Sequence, residues 1–102
     1  MRLENKTAII TGAASGMGAE EARVFASEGA SVVFGDILDE AGKQVEAEIR
    51  EAGGEAAYVH LDVMQEEDWQ RAKGVSMSKY GSLNILINNA GSIYISKFIN
   101  VI

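Results

Sequence analysis

Four short apolar runs, separated by stretches of helical periodicity, constrain this chain more than any other feature. Thr7-Ala8-Ile9-Ile10-Thr11, Ser31-Val32-Val33-Phe34-Gly35-Asp36, Ala56-Ala57-Tyr58-Val59-His60-Leu61 and Leu83-Asn84-Ile85-Leu86-Ile87-Asn88 are mostly apolar and partly β-branched. Near-continuous apolar runs of this length predict strands buried on both faces, as in a parallel sheet. The stretches between them place apolar residues at helical spacing. Ala22, Phe25 and Ala26 form the first stripe, and Ala41, Val45, Ile49 and Ala52 the second. A third stretch, Glu66 to Tyr80, puts Trp69, Ala72 and Lys73 or Met77 on one face but carries Gly74 in its interior, which costs about 1 kcal/mol relative to Ala. Gly29, Gly53-Gly54 and Gly81 follow the three stretches, where helices end in a left-handed residue.

The order is therefore β-α-β-α-β-α-β. With right-handed crossovers it predicts an α/β fold, a Rossmann-type doubly wound parallel sheet with strands ordered 3-2-1-4. Four strands and three helices make that sheet incomplete. With no repeat, low-complexity stretch or linker, residues 1–102 are expected to form one partial dinucleotide-binding domain.

Composition narrows the partners. A formal charge of −6 opposes binding to a phosphate backbone, which needs clustered Lys and Arg, so nucleic acid is not expected. The absence of Cys removes disulfides and thiolate metal sites. No run approaches the roughly 18 apolar residues of a membrane span, and the first residues lack the apolar region of a signal peptide, so a cytoplasmic location is expected.

The first strand runs into Thr11-Gly12-Ala13-Ala14-Ser15-Gly16-Met17-Gly18, which opens the first helix. Free N–H groups and the positive end of the helix dipole favour a diphosphate there, and residues without Cβ let it come close. By itself such a loop reads equally as a tight strand-to-helix turn. Its position after the first strand, with an acidic residue closing the second, favours the binding reading. A P-loop is excluded because no Lys-Ser or Lys-Thr follows the last glycine.

The spacing Thr-Gly-x-x-x-Gly-x-Gly resembles the fingerprint of the short-chain dehydrogenase/reductase family. Three further places agree: Asp36 closing strand two, Leu61-Asp62-Val63 after strand three, and Asn88-Asn89-Ala90-Gly91 after strand four. The resemblance spans Lys6 to about Gly91 and implies an oxidoreductase that moves hydride between an alcohol or ketone and NAD. It implies a cofactor site made of Gly12, Ser15, Gly16, Met17 and Gly18 at the diphosphate and Asp36 and Ile37 at the adenosine ribose. Asp62 and Val63 are implied at the adenine, and Asn89, Ala90 and Gly91 along the cofactor ribose. The resemblance favours NAD over NADP, because Ser15 and Ile37 stand where NADP-using members place a cation. Asp36 as a solvated turn carboxylate or helix N-cap and Asp62 as a helix cap are the simpler alternatives, and Asn88 is expected to be structural, its amide tying strand four to neighbouring backbone.

Other residues are expected to be ordinary: His60 as packing, Trp69 with Tyr80 as the anchor of the third helix, and Glu46, Glu48, Glu51 and Glu55 as a solvated face, not a metal site. The family's catalytic Ser and Tyr-x-x-x-Lys are not found. Four places after Tyr58, Tyr80 and Tyr94 stand Asp62, Asn84 and Phe98, and Lys97 follows Tyr94 too closely and too early. The chain is thus expected to be the cofactor-binding front half of such an enzyme, inactive alone, with no catalytic residue. A non-catalytic dinucleotide-binding or interaction module is the alternative. An unpaired fourth strand and the apolar stretch 93–102 predict self-association.

Overall fold

The computed structural model describes residues 2–89. Their elements run β1 (Thr7–Thr11), α1 (Gly16–Ser27), β2 (Ser31–Asp36), α2 (Asp39–Glu51), β3 (Glu55–His60), α3 (Glu66–Val75) and β4 (Ile85–Asn88), with a π-helical turn, Ser76–Tyr80, extending α3. All pairings are parallel and the strand order is β3-β2-β1-β4, as the alternation of the sequence predicts.

Successive strand residues point to opposite faces, so both sides of an apolar run must be covered. Ala8, Ile10, Val32, Phe34 and Ala56 pack under α1 and α2, whereas Ile9, Val33 and Val59 pack with Trp69 and Ala72 of α3. β1 is wholly buried, β4 only half-buried.

Several boundaries shift for local reasons. β4 begins at Ile85 instead of Leu83, because the Asn84 side chain intervenes: its Oδ1 accepts the Thr7 N–H at 2.8 Å while its own N–H donates to Thr7 C=O at 2.9 Å. α2 buries Gly42, Val45 and Ile49, but Ala52 is exposed. The α3 face is completed by the buried Ser76, not by Met77, which is exposed. There the Ser76 hydroxyl donates to Lys73 C=O at 2.9 Å, offering that carbonyl an alternative to the helical ladder, and the turn widens before ending at Gly81 with φ 77°. Gly29 and Gly53 end α1 and α2 with φ of 95° and 90°. Trp69 and Tyr80 join the α3 cluster, as anticipated.

Candidate functional site

A parallel sheet brings every strand's carboxyl end to one edge, and the chain's chemistry-bearing turns all lie there. β1 leads to α1 on one face, while β4, on the other side of β1, is reached from α3 on the opposite face. The crevice between such diverging connections is the usual ligand position in open α/β sheets.

The glycine loop has the backbone that a phosphate cradle requires. Gly12 and Gly16 adopt left-handed φ values of 62° and 59°. Gly18 lets α1 cross the loop closely, since a Cβ there would stand 2.1 Å from Gly12 O. Ser15 occupies the N-cap position of α1 in an extended conformation but its side chain makes no cap bond, and the first turn holds no carboxylate. By contrast α2 opens with Asp39 and Glu40, and α3 with Glu66, Glu67 and Asp68. Negative charge belongs at a helix N-terminus; α2 and α3 supply it from their own first turns and α1 does not. Ser15, Gly16 and Met17 are exposed at this end.

Asp36 lies beside that loop. Its Oδ1 accepts N–H bonds from Ile37 at 2.7 Å and Leu38 at 3.3 Å, and its Oδ2 accepts the Ala14 N–H of the glycine loop at 3.1 Å. The carboxylate therefore does act as a turn carboxylate, yet it also spans from β2 to the loop. A carboxylate offers about four acceptor positions, so capacity remains for a further donor. Ile37 and Leu38 follow it, both exposed and neither cationic.

Asp62 and Val63 follow β3. Asp62 Oδ1 accepts the Met64 N–H at 2.9 Å, while α3 has Gln65 at its N-cap, so the carboxylate closes a turn ahead of the helix instead of capping it. The pair is fixed from below: Asp68 Oδ2 accepts the Asp62 N–H at 2.9 Å, and the Trp69 indole N–H donates to Val63 C=O at 2.9 Å. Asp68 is itself buried and bonded to Arg71 at 3.0 Å.

At the end of β4 the two asparagines divide the work. Thr11 Oγ1 donates to Asn88 Oδ1 at 2.5 Å, a side-chain tie between β1 and β4. It is Asn89 that reaches neighbouring backbone, donating to Thr11 C=O at 3.1 Å and to Glu21 Oε1 of α1 at 2.7 Å. Ala90, Gly91 and residues 92–102 lie outside the described residues.

His60 departs from the expectation of a packed strand histidine. It ends β3 at the crevice edge, about half exposed, with Nδ1 2.8 Å from Asp39 Oδ1. The Tyr58 hydroxyl stands 2.7 Å from the same oxygen. Hydrogen bonds from Tyr58 and His60 hold the Asp39 carboxyl below its ordinary range, and Asp39 in turn raises His60. Burial, reinforced by Asp39, pushes the Tyr58 phenol up. The α2 carboxylates are not simply solvated either: Glu48 pairs with Arg23 at 3.1 Å, and Glu46 with Arg50 at 3.6 Å. Among the described residues no group of three or more His, Asp or Glu is placed to hold a metal ion.

Sequence reading missed Ala14 as a loop donor, Asp68 as the support of Asp62, and Tyr58 as a partner of the β2–α2 turn. Asp68 left a signal, an acidic residue in a first helical turn just before Trp69. The other two depend on segments that meet only in three dimensions.

Fold and site define a Rossmann-type nucleotide-binding sheet. The family model for short chain dehydrogenase matches residues 6–101, and the chain belongs to that family. A 3-alpha-(or 20-beta)-hydroxysteroid dehydrogenase of Mycobacterium tuberculosis is 50% identical over 94 residues, covering 92% of this chain and 35% of that protein. A 2,5-dichloro-2,5-cyclohexadiene-1,4-diol dehydrogenase of Sphingobium indicum is 48% identical over 93 residues, 91% of this chain and 37% of the relative. A 7α-hydroxysteroid dehydrogenase structure complexed with NADH and 7-oxo glycochenodeoxycholic acid superposes with a TM-score of 0.84 at 44% identity, covering 89% of this chain and 36% of the other. The chain spans little more than a third of the length of these relatives.

Proposed function

We propose that residues 1–102 form a partial dinucleotide-binding domain, the NAD(H)-binding part of an oxidoreductase acting on a small alcohol or ketone. The observation that carries this reading is the coupling of Asp36 to the glycine loop through Ala14, beside an α1 N-terminus that has neither a side-chain cap nor an acidic first turn. The residues present fit a dinucleotide: Gly12, Ser15, Gly16, Met17 and Gly18 would hold the diphosphate, and Asp36 and Ile37 the adenosine ribose. Asp62 and Val63 would hold the adenine, and Asn89, Ala90 and Gly91 the cofactor ribose. Nicotinamide, when bound, supplies the hydride acceptor or donor. The chain's own residues bind and orient. The glycine-loop N–H groups meet negative charge, and Asp36 accepts ribose hydroxyls while repelling a 2′-phosphate that Ser15 and Ile37 leave without a countercharge.

The names of the relatives support a secondary alcohol on a ring, or its ketone, as the substrate class of the complete enzyme. The net charge of −6 argues against nucleic acid. A cytoplasmic location is part of the same proposal; among the described residues no helix is long and apolar enough to cross a membrane. A half-buried β4 supports self-association of this chain.

Titration of the chain with both dinucleotides tests the cofactor. NAD should bind more tightly than NADP, and Asp36→Ala should weaken NAD by roughly ten- to a hundredfold, the loss of hydrogen bonds to a charged group. Adding Ile37→Arg to Asp36→Ala should reverse the preference. Tighter binding of NADP by the unmodified chain would refute the assignment. A separate expectation is that these 102 residues alone form no NADH from secondary alcohols, because a general base contributes about 10² to 10⁴ in rate and no Tyr-x-x-x-Lys is present. Turnover above background in contaminant-free protein would disprove it.

A further inference from the structure

The β2–α2 turn carries Asp36 and is held from β3 by the side chains of Tyr58 and His60, of which Tyr58 alone reaches both of its ends. Tyr58 packs edge-to-face on Phe34, ring centroids 5.5 Å apart, and its ring lies against α2 at Gly42. A Cβ on Gly42 would come within 2.1 Å of the ring, so the small residue there is what lets the phenol pass. The hydroxyl emerges 2.7 Å from Asp36 C=O and 2.7 Å from Asp39 Oδ1. One phenolic proton is thus shared between two acceptors at the two ends of the turn. The Leu61 N–H joins it at Asp36 C=O, at 2.9 Å, and His60 joins it at Asp39. Between these anchored ends lie Ile37 and Leu38, whose N–H groups pin the Asp36 carboxylate.

We propose that Tyr58 is a positioning residue for dinucleotide selection: by fixing both ends of the turn it keeps the Asp36 carboxylate facing the glycine loop, and this fixed orientation sets the discrimination between a ribose 2′-hydroxyl and a 2′-phosphate. The inference rests on the cofactor reading above. A carboxylate that cannot swing aside gives the 2′-hydroxyl a pre-placed acceptor and leaves a 2′-phosphate no escape from repulsion. Loosening the turn weakens the first effect and relieves the second, so both move the NAD-to-NADP ratio in the same direction. The groove of about 400 Å³ between the C-terminal turns of α1 and α2, lined by Ala26, Ile49, Ala52 and Gly54, lies at the opposite edge of the sheet and takes no part.

The test compares Tyr58→Phe, Asp39→Ala and Val59→Ala in the whole chain, reading Kd for NAD and NADP and amide exchange at Ile37 and Leu38. Val59 packs on the other face of the same strand and reports general destabilisation. Tyr58→Phe should lower the NAD-to-NADP preference by about three- to tenfold, one hydrogen bond's worth, and speed exchange at both amides. Asp39→Ala, at an exposed site, should do the same more weakly, and Val59→Ala should do neither. If Tyr58→Phe behaves like Val59→Ala, lowering stability with the ratio and the two amides unchanged, Tyr58 is merely structural and the proposal falls. Should the unmodified chain bind neither dinucleotide, the cofactor reading fails on its own. The amides then decide whether Tyr58 holds the turn: faster exchange supports it and unchanged exchange overturns it.

Discussion

The two edges of the sheet are built differently. On β3 three backbone groups are taken by the chain's own side chains: Glu46 accepts the Tyr58 N–H at 2.7 Å, Arg50 donates to Ala56 C=O at 3.1 Å, and Arg71 donates to His60 C=O at 3.3 Å. Among the described residues no side chain is bonded to the backbone of Ile85, Leu86 or Ile87 on β4, and those side chains are only half-buried. An unpaired strand edge invites pairing with another chain, and charged residues laid along it prevent this. β3 thus carries the features of a finished edge. β4, apolar on both faces, has the character of an interior strand.

The largest expected effect breaks this asymmetry in solution. Sedimentation of the 102-residue chain should show association that rises with concentration, and amides of β4 should gain protection from exchange as it does. A monomer at every concentration, with β4 amides exchanging freely, would mean that the second edge is closed too.

An intermediate effect follows from opening the first edge. Glu46→Ala and Arg50→Ala each remove one backbone partner on β3, and each should lower stability by about 1 kcal/mol, a typical net hydrogen-bond contribution. The double variant should also associate through β3. Urea unfolding midpoints unchanged from the parent would show that these bonds are exposed contacts of no consequence.

The smallest effect lies where the finished edge meets the crevice. The folded-state pKa of His60 is raised above its ordinary 6.5, so its pairing with Asp39 stabilises most fully below that pH and is lost as pH rises through the folded value. Asp39 is lowered from 3.8, so its contribution is present above that pH and lost as pH falls through its depressed value. The difference in Tm between the parent and His60→Gln should therefore peak between about pH 4 and 6.5 and shrink on either side. Added salt should reduce it, because both groups are half exposed. A difference independent of pH would assign the contact to packing.

Much of this was legible in the chain itself. Apolar runs such as Thr7–Thr11 and Ser31–Asp36, with Gly29 and Gly53 ending the helices between them, specify a parallel alternation because period and turn chemistry are local properties. The same locality brought out Gly12, Gly16 and Gly18, whose backbone roles depend on their immediate neighbours. Asp36 was recognisable from its place at a strand end. Asn88 does tie β4 to β1, but through the Thr11 side chain, while Asn89 takes the Thr11 C=O; spacing alone does not name the partner across a strand.

Amino-acid order by itself determined the strands, the helices, their sequence and the glycine loop, because hydrophobic period and backbone freedom act over a few residues. Only the tertiary structure decided that Glu46 and Arg50 close β3, that Asp68 supports Asp62, and that Tyr58 passes Gly42 to hold Asp36 and Asp39. Those contacts join residues six to twenty-two positions apart, and a hydrogen bond needs its donor and acceptor within about 3 Å, a condition met only once strands and helices have packed.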